Sequence, residues 1–182
     1  MFPLLFLGAL FASTLVSASP LLEPRGVCNE GTQLVCYDQA PQGLDLADVK
    51  YAAKVLRSIA RRNSDPPRWT MSSPSDVDCP EWTMTISNIG SLLVLTKQIN
   101  PRIVSSVTYE DIANTIDGGE AASDADRANS LLACGSNGGQ RGVKVNKQSP
   151  AYQAADFKEG RVKARGIIIK LVKNPNPDDD DE

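Results

Sequence analysis

Hydrophobic residues recur at spacings of three and four between residues 45 and 62, which predicts an amphipathic helix with one buried face. The residues on that face are Leu46, Val49, Ala53, Leu56 and Ala60. Asp45 precedes the first of them and is a suitable N-cap. The run Asn-Ser-Asp-Pro-Pro at 63–67 ends the pattern, because proline cannot continue a helix. This is the most strongly patterned element of the chain.

Runs of apolar and β-branched residues predict short strands in most of the remaining chain. They cover residues 34–37, 69–71, 82–86, 91–96, 142–146 and 166–172. The turn residues at 87–90 predict a hairpin, although a helix beginning at Gly90 is an alternative for the segment that follows. Two short helices are predicted at 109–116, after Thr108, and at 123–134. The glycine-rich run at 135–140 indicates a turn.

This order of elements predicts an α+β fold. We expect a disulfide-stabilised sandwich with a mainly antiparallel sheet, on which one long and two short helices pack. The single domain is predicted to span residues 26–173. Residues 174–182 contain no core-forming side chain and end in five acidic residues, which predicts a disordered acidic tail.

The first residues of the chain have the pattern of an export signal. Residues 1–18 form an apolar run that ends in small residues, with Val16 and Ala18 suited to a cleavage site. They predict a signal peptide and a secreted, extracellular product. Residues 19–25 form a leader that stays in place or a pro-segment that is trimmed after Arg25. No later stretch reaches eighteen apolar residues, so we expect no stable membrane anchor.

Four cysteines in an exported chain predict two disulfides. They are Cys28, Cys36, Cys79 and Cys134. Three pairings are possible, and we favour Cys28–Cys79 with Cys36–Cys134, because a Cys28–Cys36 bond would close a very short loop. With no CxxC pair and no histidine, we expect neither a metal site nor a cofactor.

The absence of histidine excludes Ser-His-Asp and Cys-His catalytic sets and predicts weak pH dependence between about pH 6 and 8. Carboxylates are the remaining candidates for catalysis. Glu81, or Glu110 with Asp111, could form the acid pair of a glycoside hydrolase. Acidic residues in the first turn of a helix are also favoured by the helix dipole alone. We therefore expect no catalytic residues.

Basic residues are concentrated near the C-terminus, where residues 141–173 contain nine basic and two acidic side chains. Such a face would attract an anionic partner, and its candidate contacts are Lys144, Lys147, Lys163 and Arg165. A second basic stripe runs along the predicted long helix at Lys50, Lys54, Arg57 and Arg61.

Aromatic residues offer a further recognition candidate. Trp69 and Trp82 flank the Cys79 loop. They would pack in the core or, if exposed, form part of a recognition surface.

Several segments resemble small secreted four-cysteine proteins of plant-associated ascomycete fungi. They are residues 79–82 (Cys-Pro-Glu-Trp), 107–119, 131–135 and 166–170. Such proteins are regarded as candidate effectors, which implies a non-catalytic role in host interaction. Residues 131–146 bear a looser resemblance to killer-toxin-like α/β sandwiches of smut fungi.

Together with the export signal, the two disulfides, the absence of histidine and the lack of a catalytic set, the resemblance leads us to expect a secreted, monomeric protein. We expect it to bind a host extracellular protein or an anionic glycan, without a nucleic-acid role. A killer-toxin-like antimicrobial protein and a carbohydrate-active hydrolase are the alternatives.

Overall fold

A computed structural model describes residue 28 and residues 30–62, 67–72 and 79–177. The predicted signal peptide (1–18), the leader (19–25) and the last five residues of the predicted acidic tail (178–182) lie outside the described residues. The α+β class is confirmed within the described part. Its elements are β1 Val35–Cys36, α1 Leu46–Arg61, β2 Arg68–Met71, β3 Glu81–Thr83, β4 Leu92–Gln98, β5 Val104–Thr108, α2 Tyr109–Asp117, α3 Asp124–Ala128, β6 Gly139–Gly142, α4 Ala155–Lys158, β7 Val162–Lys163 and β8 Ile167–Lys173.

The main sheet has five antiparallel strands in the order β1-β6-β8-β4-β3. Its centre is the seven-residue pairing of β4 with β8, from Leu92 opposite Lys173 to Gln98 opposite Ile167. Alternate residues of both strands, including Val94 and Ile169, are fully buried. They join the apolar faces of α1 and α2 in one core, as the period of two in a strand requires.

The predicted long helix and the predicted hairpin are confirmed. Asp45 is the N-cap of α1, and its side chain accepts a hydrogen bond from the Ala47 amide over 2.8 Å. The segment after Gly90 is strand β4, which pairs with β3, so the alternative of a helix there is wrong.

A second sheet, which we did not predict, contains β2, β5 and β7. β5 pairs antiparallel with β2 and parallel with β7. The sequence of β5 is Val-Ser-Ser-Val-Thr, in which Ser105 and Ser106 are buried. Two adjacent serines are no signal for a buried strand, because a buried hydroxyl needs a partner that local sequence does not reveal. The partner of Ser106 is Thr70, whose Oγ1 lies 2.8 Å from Ser106 Oγ.

The single helix predicted over 123–134 is wrong. α3 ends at Ala128, and a separate 3-10 helix covers Leu131–Asn137. Ser130 between them has an extended backbone, and its hydroxyl donates to the Arg127 carbonyl over 2.7 Å. This local hydrogen bond competes with continuation of the helix.

The strand predicted at 142–146 is misplaced along the chain, because the observed strand β6 lies at Gly139–Gly142. The predicted turn at 135–140 therefore overlaps a strand. A Cβ atom at Gly139 would lie 2.6 Å from the Val35 carbonyl oxygen, and one at Gly142 would lie 2.6 Å from Thr32 Cβ. The glycines thus allow β1 and the chain before it to approach β6.

Both disulfides have the pairing favoured from the sequence. Cys28 is bonded to Cys79 and Cys36 to Cys134, with Cα–Cα distances of 5.5 and 5.2 Å. The packed domain also continues one residue beyond the predicted boundary at 173. Asn174 is 7% exposed, and its backbone N–H donates to the Ser91 carbonyl over 2.8 Å.

Candidate ligand-binding groove

The basic stripe along α1 does not act as one surface, because Arg57 is buried. Only 5% of Arg57 is exposed. Its Nη1 donates to Asp117 Oδ2 over 2.8 Å and its Nη2 donates to Asn114 Oδ1 over 3.0 Å. The Asp117 carboxylate raises the pKa of the Arg57 guanidinium further. Arg57 therefore fastens α1 to α2.

The exposed residues of the stripe, together with Arg62, which was not part of the predicted stripe and which caps the C-terminus of α1, divide into paired and unpaired residues. Arg61 forms a 2.6 Å ion pair with Glu120 at the surface. Lys50, Lys54 and Arg62 are exposed, and within the described part of the chain none of the three forms an ion pair. Since no carboxylate of the described residues occupies these three cations, they can meet an external anion.

Lys54 and Arg62 line a groove of about 450 Å³ between α1 and the connection from β3 to β4. We call it the α1 groove. The helix wall also carries Tyr51, Val55, Ser58 and Ile59, and residues 85–88 form the opposite wall. Tyr51 is 41% exposed. The groove therefore combines two unpaired cations with an aromatic ring, apolar side chains and uncharged polar groups.

A second depression of about 430 Å³ lies beside the first, along the same stretch of α1. It shares Lys54, Ser58 and Arg62 with the α1 groove and adds Arg57, Arg61 and Glu120. We call it the Glu120 cavity. The shared residues form a row along α1 between the two depressions, and a ligand lying on this row would contact both.

The wall opposite α1 is held in place by hydrogen bonds at residues 90 and 91. Asp48 Oδ2 accepts from the Ser91 amide over 2.8 Å and from the Ser91 hydroxyl over 2.6 Å. Asn174 Nδ2 donates to the Gly90 carbonyl over 3.0 Å. Because Asp48 belongs to α1, these bonds tie one wall of the groove to the other.

The two tryptophans contact each other at the junction of the two sheets. The Trp69 and Trp82 rings lie edge to face with centroids 6.2 Å apart, and Trp69 makes a similar contact with Tyr109 at 6.3 Å. Trp69 is partly buried and packs against the core, whereas Trp82 is 38% exposed. Trp82 is thus the one of the two with a larger surface for recognition.

The four C-terminal basic candidates have different surroundings. Lys144 lies 3.3 Å from Asp126, Lys147 is exposed, and Lys163 belongs to β7. Arg165 lines a separate depression of about 480 Å³ together with Glu30. The basic character that the sequence predicts near the C-terminus is therefore partly neutralised by acidic residues from earlier in the chain.

The carboxylates considered for catalysis all have partners within the fold. Asp111 is 2% exposed and accepts hydrogen bonds from the Tyr152 hydroxyl and from the Asn146 amide, the latter over 3.1 Å. Glu110 lies 3.5 Å from Arg57, and Glu81 lies 2.8 Å from Lys170. None of the three is an unpaired carboxylate, so the described residues offer these groups no open acid pair.

Glu81 belongs to an ion-pair cluster on the sheet face away from α1, together with Glu30, Lys97 and Lys170. Tyr37 is close by, and its hydroxyl donates to Gln140 Oε1 over 3.2 Å. Burial, followed by the charges of Glu30 and Glu81, raises the pKa of Tyr37 to about 12. The cluster thus favours the neutral phenol in the folded state.

We expect the free energy of unfolding to fall as the pH rises from about 10 to 12, because the raised pKa of Tyr37 makes its ionisation costly in the folded protein. The stability that the neutral phenol contributes is complete below its unfolded pKa of about 10 and is lost as the pH passes through about 12. Urea unfolding across this range would measure the decline. Tyr37→Phe should show a shallower decline, and an unchanged slope would contradict the assignment.

The described residues contain no group of three or more His, Cys, Asp or Glu side chains that could hold a metal ion. In the same part of the chain, no helix is sufficiently long and apolar to cross a membrane.

Comparison with protein-family models, with curated proteins and with solved structures finds no match to this chain. The residues and geometry of the α1 groove are therefore the basis for a functional proposal.

Proposed function

We propose that the protein is a secreted, effector-like binding protein that recognises an anionic extracellular component of a plant host through the α1 groove. The observation that carries the proposal is the pair of unpaired cations, Lys54 and Arg62, in a groove that also presents Tyr51. Binding sites commonly combine apolar or aromatic walls with a few placed polar groups. The two disulfides are consistent with an extracellular location.

Electrostatics explains why an anion is the expected partner. Arg57 and Arg61 already have carboxylate partners, whereas Lys54 and Arg62 have none within the described residues. An arriving carboxylate would meet exposed cations that lose no internal ion pair on binding. Association should therefore weaken as salt screens these charges.

A non-catalytic role agrees with the partners of the acidic candidates. Catalysis by Glu110 or Asp111 would require breaking the contact with Arg57 or uncovering a buried carboxylate. Incubation with plant wall polymers should accordingly release no new reducing ends. Release that disappears in a Glu110→Gln variant would favour the hydrolase alternative.

Binding to isolated plant cell walls, measured as depletion of protein from solution, tests the proposal. We expect the charge reversal Lys54→Glu with Arg62→Glu to reduce binding by at least about tenfold. The matched control is Lys147→Glu with Arg165→Glu, which changes the net charge equally at the C-terminal basic residues and should bind like the unchanged protein. The opposite ranking would place the contact surface at the C-terminal basic residues and overturn the proposal.

A further inference from the structure

The α1 groove and the Glu120 cavity together suit a more specific ligand class. We infer that they bind an acidic oligosaccharide, a chain of sugars that carry one carboxylate on each unit. The inference rests on the proposed function and narrows its ligand. It follows from the spacing of the cations, from the other groups that line the groove and from the position of Glu120.

The two unpaired cations are separated along the helix rather than converging on one point. Lys54, Ser58 and Arg62 follow one another at intervals of four residues, which places them along one side of α1. At 1.5 Å per residue, the Cα atoms of Lys54 and Arg62 are about 12 Å apart. A single phosphate group would need converging donors, whereas a chain with separated carboxylates can meet each cation in turn.

Besides the cations, the groove presents groups that can bind a sugar ring. Ser58, Thr85, Ser87 and Asn88 are exposed and provide hydroxyl and amide groups for sugar hydroxyls. The ring of Tyr51 and the side chain of Ile59 provide apolar surface for the C–H faces of the rings. A polypeptide rich in aspartate has no sugar hydroxyls or ring faces, so it would form fewer contacts with these hydroxyl and apolar groups.

Arg62 is suited to a carboxylate in particular, since a planar guanidinium can donate two parallel hydrogen bonds to one carboxylate. Lys54 supplies a point charge on a flexible stem, which can adapt to a carboxylate on another unit of the chain. The two cations thus have different tolerances for the placement of their carboxylates.

Glu120 limits how much negative charge the Glu120 cavity accepts. Its carboxylate lines that cavity and holds Arg61 in an exposed ion pair of 2.6 Å. Each carboxylate of a bound sugar chain that enters this cavity would be repelled by Glu120. Glu120→Gln removes the repulsion and releases Arg61, so it should tighten binding of an acidic oligosaccharide severalfold.

Isothermal titration with the full exported chain tests the inference. The probes are a short oligogalacturonate, a neutral cello-oligosaccharide of equal length and a poly-aspartate of equal charge. Of the two sugars, we expect only the oligogalacturonate to bind measurably. Its affinity should fall at least about tenfold in the Lys54→Gln/Arg62→Gln variant. Tyr51→Ala should weaken the oligogalacturonate severalfold and leave poly-aspartate unaffected, with thermal unfolding confirming that each variant is folded.

The outcomes separate this inference from the function on which it rests. Equal binding of the neutral sugar, or poly-aspartate binding as tight as the oligogalacturonate with no effect of Tyr51→Ala, would overturn the acidic-sugar inference. The second result would leave an anion-binding groove, for instance for an acidic protein, and hence the proposed function in place. Absence of binding to all probes, together with unaltered wall binding by Lys54→Glu/Arg62→Glu, would overturn both.

Discussion

Replacing Cys36 and Cys134 together with alanine is expected to lower the free energy of unfolding by up to about 5 kcal/mol. The bond joins residues 98 positions apart. In the chain-entropy description, a cross-link over a loop of roughly 100 residues lowers the entropy of the unfolded state, which is equivalent to about 4.7 kcal/mol of free energy. The bond also attaches the two-residue strand β1 to the 3-10 helix at Leu131–Asn137, and so short a strand has few other contacts to hold it. Chemical denaturation of both proteins under non-reducing conditions would measure the loss.

The matched control removes the other disulfide. Cys28 and Cys79 are separated by 51 positions, about half the distance, and each halving of loop length reduces the entropic gain by only about 0.6 kcal/mol. The Cys28→Ala/Cys79→Ala protein should therefore lose slightly less stability. A Cys36→Ala/Cys134→Ala protein as stable as the unchanged one would show that the cross-link does not stabilise the fold.

The second large effect is expected at Arg57, where a methionine should destabilise the fold by about 3 to 5 kcal/mol. The substitution keeps an apolar stem but leaves the Asp117 carboxylate and the Asn114 side chain without their donor between α1 and α2. Breaking one side of a buried ion pair is costly because the other charge stays desolvated. Urea unfolding of Arg57→Met against the unchanged protein provides the measurement.

Arg61→Met is the matched control, one helical turn further along α1. Its pair with Glu120 is exposed to solvent on both sides, so we expect no measurable change in unfolding. Arg57→Met/Asp117→Leu, which removes both members of the buried pair, should recover much of the lost stability. If the single Arg57→Met variant were as stable as the unchanged protein, the pair would not be the fastening between the helices.

Local signals were sufficient for α1, for the β3–β4 hairpin and for α2. In each, the apolar period and the flanking cap or turn residues act over a few neighbouring positions, so the chain itself contains the information. The cysteines have the favoured pairing, although loop length disfavours only the Cys28–Cys36 bond and does not separate the other two pairings. β5, with two buried serines, and β6, with its glycines, have no such signal, because their placement depends on strands that are distant in the sequence.

Basic side chains recur along one flank of α1 because helical spacing follows directly from residue order. Which of these side chains can meet a ligand depends on the packing of the folded chain. Arg57 and Lys54 are three residues apart, yet α2 covers Arg57 with Asp117 and leaves Lys54 in a groove. The opposite wall of that groove comes from residues 85–88, which are brought there by the pairing of β4 and by Asp48. A charge becomes a binding group or a structural one according to the partners that folding places beside it, and those partners are distant in the chain.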